Sequence, residues 1–195
     1  MPEMKPDTAA EHDRQLVHTR QIACRAYRTR DGLFEIEATV TDAKGQEVPF
    51  RSRPPVAAGE FMHSMALSVT IDSDFTIRDA KAHTAQAPWP SCGETDAAYR
   101  KLIGLRIGGG FIRQVRQLLG GTRGCTHITD IITQVANTYM QASFPDRLAR
   151  QLAISQDPRQ WPDKVTLAFV DQCHAWRHDG EALLREYPEL APKAP

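Results

Sequence analysis

The chain has 195 residues, and its 24 lysines and arginines are balanced by 24 aspartates and glutamates. This length suits one hydrophobic core with a tail, and the balanced charge argues against anionic partners such as nucleic acid or acidic lipid. No stretch approaches the ~18 apolar residues of a membrane span, and the N-terminus lacks the apolar run of a signal peptide. We therefore expect a soluble, cytoplasmic protein without nucleic-acid or membrane partners, whereas a protein partner is left open.

The distribution of polar residues predicts the domain organisation. The first 18 positions are polar and show no apolar periodicity, which is typical of a loose arm. We expect a flexible N-terminal arm over 1–18, a single α+β domain over 19–190 and a frayed tail over 191–195.

Two stretches in which apolar and polar residues alternate predict two β-hairpins. The first hairpin has its apolar positions at Ile22, Cys24, Ala26, Ile36, Ala38 and Val40. The second has them at Met65, Leu67, Val69, Ile71, Phe75, Ile77 and Ala80. Turn residues separate the two halves of each hairpin, at Arg30-Asp31-Gly32 and at Asp72-Ser73-Asp74. Together the hairpins predict a small antiparallel sheet.

After Pro88-Trp89-Pro90 the strong signals become helical. Three apolar stripes at helical spacing are Ala98, Leu102 and Ile103; Phe111, Val115, Leu118 and Leu119; and Ile128, Ile131, Ile132, Val135 and Tyr139. Thr126 is a plausible N-cap of the last helix. Beyond Phe144-Pro145 we expect a Gln/Arg/Pro-rich connection and then a late strand or buried helix start at 165–170. The fold class is therefore α+β, with C-terminal helices covering one face of the sheet.

Cys125 and His127 occupy the point where a glycine-rich turn meets the start of the last long helix. Unpaired N–H groups and the helix dipole lower the pKa of a thiol at such a place, and the resulting thiolate can bind a metal or attack an electrophile. Cys92 follows Pro88-Trp89-Pro90 and stands in a similar position. The alternative for each cysteine is a small buried residue that packs a turn.

His63 stands at the entrance to the third strand, on the face that also carries Met65. It can hydrogen-bond a backbone carbonyl or ligate a metal. Together His63, Cys92, Cys125 and His127 form a ligand set that suits tetrahedral zinc or an iron–sulfur cluster. Cys173-His174 could add one further ligand. Only one of the two would serve, since the side chains of adjacent residues usually diverge.

Several short motifs between Arg20 and Ala142 carry a family resemblance. They are Arg25-Ala26-Tyr27-Arg28, Asp31-Gly32-Leu33, Gly59 with His63-Ser64-Met65, Ile71-Asp72, Ala87-Pro88 with Cys92, Leu102-Ile103-Gly104, and Gly124-Cys125-Thr126-His127 followed by Thr129. In these residues the chain resembles the bacterial family called domain of unknown function 2889 (DUF2889). The segments Asp171-Gln172-Cys173-His174-Ala175 and Tyr187-Pro188 are similar to the closing part of that family.

The order of strands, helices and cysteines is also similar to NifU-like iron–sulfur scaffold proteins. That resemblance implies a NifU-like architecture with ligands at the places held here by His63, Cys92 and Cys125. The chain departs from the NifU pattern in three ways: the first ligand is histidine, Met65 replaces an expected aspartate, and His127 follows the last cysteine instead of preceding it. These departures favour zinc ahead of an iron–sulfur cluster.

Three functions remain open on the sequence. The leading hypothesis is a metal-binding domain that uses His63, Cys92, Cys125 and His127. The second is an enzyme or sulfur carrier in which Cys92 or Cys125 is a nucleophile, with His127 or His63 as the base. The third is an accessory or partner-binding protein in which all four residues are structural.

Overall fold

A computed structural model describes residues 14–162, 167 and 169–190 of the chain. The chain divides after Tyr139 into two compact units, Met1–Tyr139 and Met140–Pro195. The single-domain expectation for 19–190 stays a prediction. The predicted arm and tail lie largely outside the described residues, and β1 begins at His18, the last residue of that arm.

The first unit is built on a four-stranded antiparallel sheet in the order β1-β2-β3-β4. The strands are β1 (His18–Arg28), β2 (Phe34–Lys44), β3 (Phe61–Ile71) and β4 (Ile77–Gln86). Both predicted hairpins are confirmed. In the first turn Gly32 has a φ of 84°, a left-handed conformation that costs glycine little. In the second, the Asp72 carboxylate accepts hydrogen bonds from the backbone N–H groups of Asp74 and Thr76, each at 2.9 Å.

One face of the central strands forms the core of this unit. Its buried side chains are Phe34, Ile36, Ala38, Val40, Met65, Leu67, Val69 and Ile71. The same face of the edge strand β1 is less covered, and Ile22 there is 43% exposed. The alternation that predicted the strands is therefore an alternation of burial in β2 and β3.

Four helical segments of the first unit follow the sheet: a 3-10 helix (Pro90–Leu102), α1 (Phe111–Leu119), a 3-10 turn (Gly121–Arg123) and the start of α2 (Thr126–Leu152). Tyr139 of α2 packs edge-on against Phe34 and Phe75, and its hydroxyl donates to the Asp72 carbonyl oxygen at 2.7 Å. The expected α+β class is confirmed, with helices on the core face of the sheet.

Two local predictions for these helices were wrong. The first helix is of the 3-10 type, with about three residues per turn, so Tyr99 and Leu102 are its buried residues and Ile103 is 40% exposed. Thr126 is the first residue of α2 and not its cap. The Cys125 carbonyl oxygen accepts the first helical hydrogen bond, from the Thr129 N–H at 2.9 Å, and this places Cys125 at the N-cap position.

The second unit begins inside α2. That helix continues through Pro145 to Leu152, so the first part of the Gln/Arg/Pro-rich stretch expected beyond Phe144-Pro145 is helical. Proline removes one helical hydrogen bond without necessarily ending the helix. In the part of this unit that the structure describes, α2 is followed by a 3-10 turn (Pro158–Gln160), α3 (Glu181–Glu186) and a 3-10 turn (Pro188–Leu190). The late strand or helix start expected at 165–170 falls mostly on residues outside the described ones.

No helix among the described residues is both long enough and apolar enough to cross a membrane.

Candidate metal centre

The site lies at the end of the sheet where β1 and β3 begin and β2 ends. In the antiparallel register Arg20 pairs with Asp42, and Asp42 pairs with His63. These three side chains therefore form a row across three strands on the core face. The next pair of β2 and β3 joins Ala43 to Phe61, which leaves Met62 as a one-residue bulge beside the site.

Asp42 is the centre of this row and is only 2% exposed. Arg20 binds its carboxylate with two hydrogen bonds, from Nε to Oδ1 at 2.8 Å and from Nη2 to Oδ2 at 2.9 Å. A bidentate guanidinium strongly favours the ionised carboxylate. These bonds lower the pKa of Asp42 to about 2, so the group is charged throughout the physiological range.

Three histidines approach the same carboxylate. The distances to its oxygens are 3.2 Å from His18 Nε2, 3.2 Å from His63 Nδ1 and 3.7 Å from His127 Nε2. The rings of His63 and His127 lie against each other, with centroids 3.8 Å apart and planes tilted by 32°. One aspartate thus faces one guanidinium and three imidazoles.

Burial keeps the two inner imidazoles neutral. It lowers the pKa of His63, and the neighbouring His127 lowers it further, although Asp42 acts in the opposite sense. Burial also lowers the pKa of His127 against the opposing effect of Asp42. Neutral imidazole is the form that binds metals, so both histidines are in a ligating state at neutral pH.

Cys125 enters the site from the start of α2, where Tyr99 holds its backbone. The Tyr99 hydroxyl donates to the Cys125 carbonyl oxygen at 2.7 Å and accepts from the Cys125 N–H at 3.0 Å. It also forms a hydrogen bond of 2.8 Å with the Thr129 hydroxyl. Burial raises the pKa of Tyr99 to about 12, so the phenol stays protonated and keeps its donor.

The thiol of Cys125 faces two other side chains of the site. Its Sγ lies 3.7 Å from His127 Nδ1 and 3.6 Å from Met65 Sδ. Because His127 turns its Nε2 towards Asp42, its Nδ1 is the nitrogen left for the thiol. Cys125 and His127 therefore present a sulfur and a nitrogen to the same small region.

Gly124 allows this close approach. A Cβ atom at this position would stand 2.7 Å from the Leu119 carbonyl oxygen and 3.3 Å from the Tyr99 hydroxyl. Its backbone is extended, with φ of −157°, so the need for glycine is one of space and not of backbone conformation. Glycine thus lets the turn press Cys125 against Tyr99.

The structure brings together three of the four predicted ligands: His63 and His127 are in ring contact, and Cys125 is in contact with His127. Within the described residues, the potential ligands whose atoms all lie within 4.8 Å of one another are Asp42, His63 and His127. Cys92 belongs to no such group. It lies near the start of the 3-10 helix, where its N–H donates to the Trp89 carbonyl oxygen at 3.0 Å. Cys173 and His174 belong to the second unit.

Asp42 and Arg20 were absent from the sequence prediction, although the sequence holds a signal for Asp42. The alternation of Ile36, Ala38 and Val40 continues to position 42, which places a carboxylate on the core face at a strand end. A charge on such a face needs a partner. The contact of Arg20 with Asp42 depends on the register between β1 and β2, and the sequence alone does not define that register.

Four kinds of donor therefore meet at one end of the sheet: imidazoles, a thiol, a thioether and a carboxylate. Together the fold and the site define an α+β protein with a candidate metal centre between a sheet end and a helix start. The chain belongs to the family described as "Protein of unknown function (DUF2889)", whose model matches residues 18–141, more than half of the chain. All residues of the site lie within that match.

Neither the curated proteins nor the solved structures include a significant match to the chain. The similarity to NifU-like scaffold proteins has no support from these comparisons and stays a prediction.

Proposed function

We propose that the chain binds one transition-metal ion through Cys125 Sγ and His127 Nδ1, and that His63 joins them through its second ring nitrogen, Nε2, when the ion draws that ring towards Cys125. The observation that carries the proposal is the meeting of two neutral imidazoles and a thiol beside one buried carboxylate. Cysteine and histidine are the usual ligands of zinc in proteins. Zinc is the first candidate for this set.

The distance between Cys125 and His127 supports a shared ion. With metal–sulfur and metal–nitrogen bonds of about 2.3 and 2.0 Å, two tetrahedral ligand atoms stand about 3.5 Å apart. The Sγ to Nδ1 distance is 3.7 Å. The two ligand atoms therefore already have the spacing that a bound ion would require.

Asp42 has the role of a carboxylate that orients the two histidines. It contacts His63 through Nδ1 and faces His127 through Nε2, which leaves the other nitrogen of each ring for the ion. Such outer carboxylates fix the ring orientation and tautomer of metal-binding histidines. Arg20 balances the charge of Asp42, so the pair adds no net charge beside the ion.

The arrangement favours a single ion over an iron–sulfur cluster. Protein-bound clusters are usually held by several thiolates, and this group offers one. A second thiolate would be available only if Cys92, which the sequence analysis placed in the ligand set, joined the group. A cytoplasmic location, also expected from the sequence, would keep the Cys125 thiol reduced.

Metal analysis of the purified chain tests this proposal. We expect roughly one ion per chain in the natural protein after growth with added zinc or, in a separate culture, added copper, and little in Cys125→Ser or His127→Ala. Cys173→Ser is the matched control, because it removes an exposed thiol and should retain the metal. The proposal is wrong if the natural protein holds no stoichiometric metal, or if Cys125→Ser holds as much.

A second candidate function is thiol chemistry at Cys125. His127 stands between the Cys125 sulfur, at 3.7 Å from Nδ1, and the Asp42 carboxylate, at 3.7 Å from Nε2. This is the order of a nucleophile, a base and a group that orients the base. The arrangement favours Cys125 over Cys92 for this role.

Thiol alkylation at neutral pH tests the second candidate in the metal-free protein. If His127 activates Cys125, the half-buried Cys125 should react faster than the exposed Cys173, and His127→Ala should remove the difference. Reaction in the order of exposure, with Cys173 first, would exclude it.

A further inference from the structure

Met65 places a second sulfur atom at the proposed ligand group. Its Sδ lies 3.6 Å from Cys125 Sγ, and its side chain is only 2% exposed. Met65 follows His63 by two residues on β3, so both side chains project from the same face of the sheet. β3 thus offers an imidazole and a thioether, and the start of α2 offers a thiol and an imidazole.

The thioether distinguishes between classes of metal ion. Zinc sites in proteins are built from thiolate, imidazole and carboxylate. Thiolate and thioether together are soft ligands, and they select Cu(I) among the biological ions. A site with one thiolate, one thioether and imidazoles therefore has the donor set of a copper site.

Charge supports the same choice. A divalent ion bound by one thiolate leaves a net positive charge in a partly buried site, because Cys125 is the one thiolate donor of the proposed ligand set. A Cu(I) ion bound by the same thiolate is neutral overall, because Asp42 and Arg20 cancel each other. Burying an uncompensated charge is costly, so the neutral complex is favoured.

We infer that the site is selective for Cu(I), with Met65 Sδ as a ligand beside Cys125 and His127. This inference rests on the proposed metal-binding function and names its ion. In the binding step the Cys125 S–H bond breaks, its proton passes to solvent and a copper–sulfur bond forms. No electron is transferred, because copper is supplied as Cu(I).

Competition with a coloured Cu(I) chelator under anaerobic conditions tests the inference. Met65→Leu keeps the volume of the side chain and removes its sulfur, and such a swap usually costs under about 1.5 kcal/mol of stability. We expect Met65→Leu to weaken Cu(I) binding by about tenfold or more and to change zinc binding by less than about twofold. Met62→Leu, a buried methionine three residues earlier on β3, is the matched control and should change neither affinity.

The possible outcomes separate the two proposals. If the natural protein binds zinc but binds Cu(I) no more tightly than zinc, this inference is overturned and the proposed function stands. The same conclusion follows if Met65→Leu binds Cu(I) with the same affinity as the natural protein. Failure to bind either ion overturns the proposed function itself. If Met65→Leu does not fold, X-ray absorption at the copper edge of the selenomethionine-labelled protein decides: a selenium neighbour of copper supports the inference, and its absence overturns it.

Discussion

Asp42 shows how one residue can organise a site that its neighbours in sequence do not reveal. It is buried, it accepts two hydrogen bonds from Arg20, and it faces His18, His63 and His127. The sequence allowed us to predict two of these histidine positions from strand and helix starts. It could not give Asp42 this role, because the contacts depend on the register of three strands and on the placement of α2.

The acid stability of the metal-free protein should depend on Asp42. Its pKa is about 2 when folded, against an ordinary value of about 3.9. A lowered folded-state pKa contributes stability above the unfolded value, and this contribution is lost as the pH falls from about 4 towards 2. We expect Asp42→Asn to lose roughly 1–3 kcal/mol near neutral pH, because a charged hydrogen-bond acceptor is removed.

Urea unfolding at a series of pH values measures both effects. Asp42→Asn should lose stability less steeply between about pH 4 and pH 2 than the natural protein. Asp130→Asn is the control, since Asp130 is exposed and stands 4.0 Å from Arg20. Equal acid sensitivity of the natural protein and Asp42→Asn would show that this carboxylate does not have the assigned role.

At the scale of elements, one hydroxyl group joins the 3-10 helix to the start of α2. Tyr99 belongs to the 3-10 helix, and it bonds to both backbone groups of Cys125 at the N-cap of α2. The helices themselves could be predicted from apolar stripes. The 3-10 geometry could not, because a period of three and a period of 3.6 differ little over a short segment.

Tyr99→Phe tests this connection. The change removes the hydroxyl and leaves the ring, so the Cys125 N–H loses its bond to Tyr99, whereas the Cys125 C=O keeps the bond from the Thr129 N–H. We expect a loss of roughly 1–3 kcal/mol in the free energy of unfolding, together with weaker metal binding. Tyr27→Phe alters a tyrosine that is 45% exposed and should change stability by less than about 0.5 kcal/mol. Unchanged metal affinity in Tyr99→Phe would contradict the positioning of Cys125 by Tyr99.

Gly124→Ala tests the space available before Cys125. The added methyl group would meet the Leu119 carbonyl oxygen at 2.7 Å, so the backbone must shift, at a cost of roughly 1–3 kcal/mol. Gly109→Ala is the matched control, because a Cβ there meets nothing within 4 Å. Thermal unfolding compares the two variants. A stability of Gly124→Ala equal to that of Gly109→Ala would show that the turn is less tight than described.

At the scale of the whole chain, the family match over 18–141 ends close to the end of the first compact unit at Tyr139. The α+β class, both hairpins and the burial of the α2 stripe could be predicted, because alternation and helical spacing report local structure directly. The division of the chain after Tyr139 could not, because α2 runs through this point and through Pro145 and ends only at Leu152.

Metal binding should stabilise the folded chain as a whole. An ion that binds only the folded state at a hundredfold excess over its dissociation constant adds about 2.7 kcal/mol. We expect this to appear as a higher melting temperature in the natural protein and in Cys173→Ser, and to be absent from Cys125→Ser. A shift of equal size in Cys125→Ser would place the binding elsewhere in the chain.

The bulge at Met62 separates the site from the segment that precedes it. Side chains along a strand alternate in direction, so one residue gained or lost upstream would normally turn every following side chain to the opposite face. The pairing of Asp42 with His63 begins only after the extra residue. One residue gained or lost at the entrance to β3 can therefore be absorbed at the bulge, so that His63 and Met65 keep their orientation towards the site.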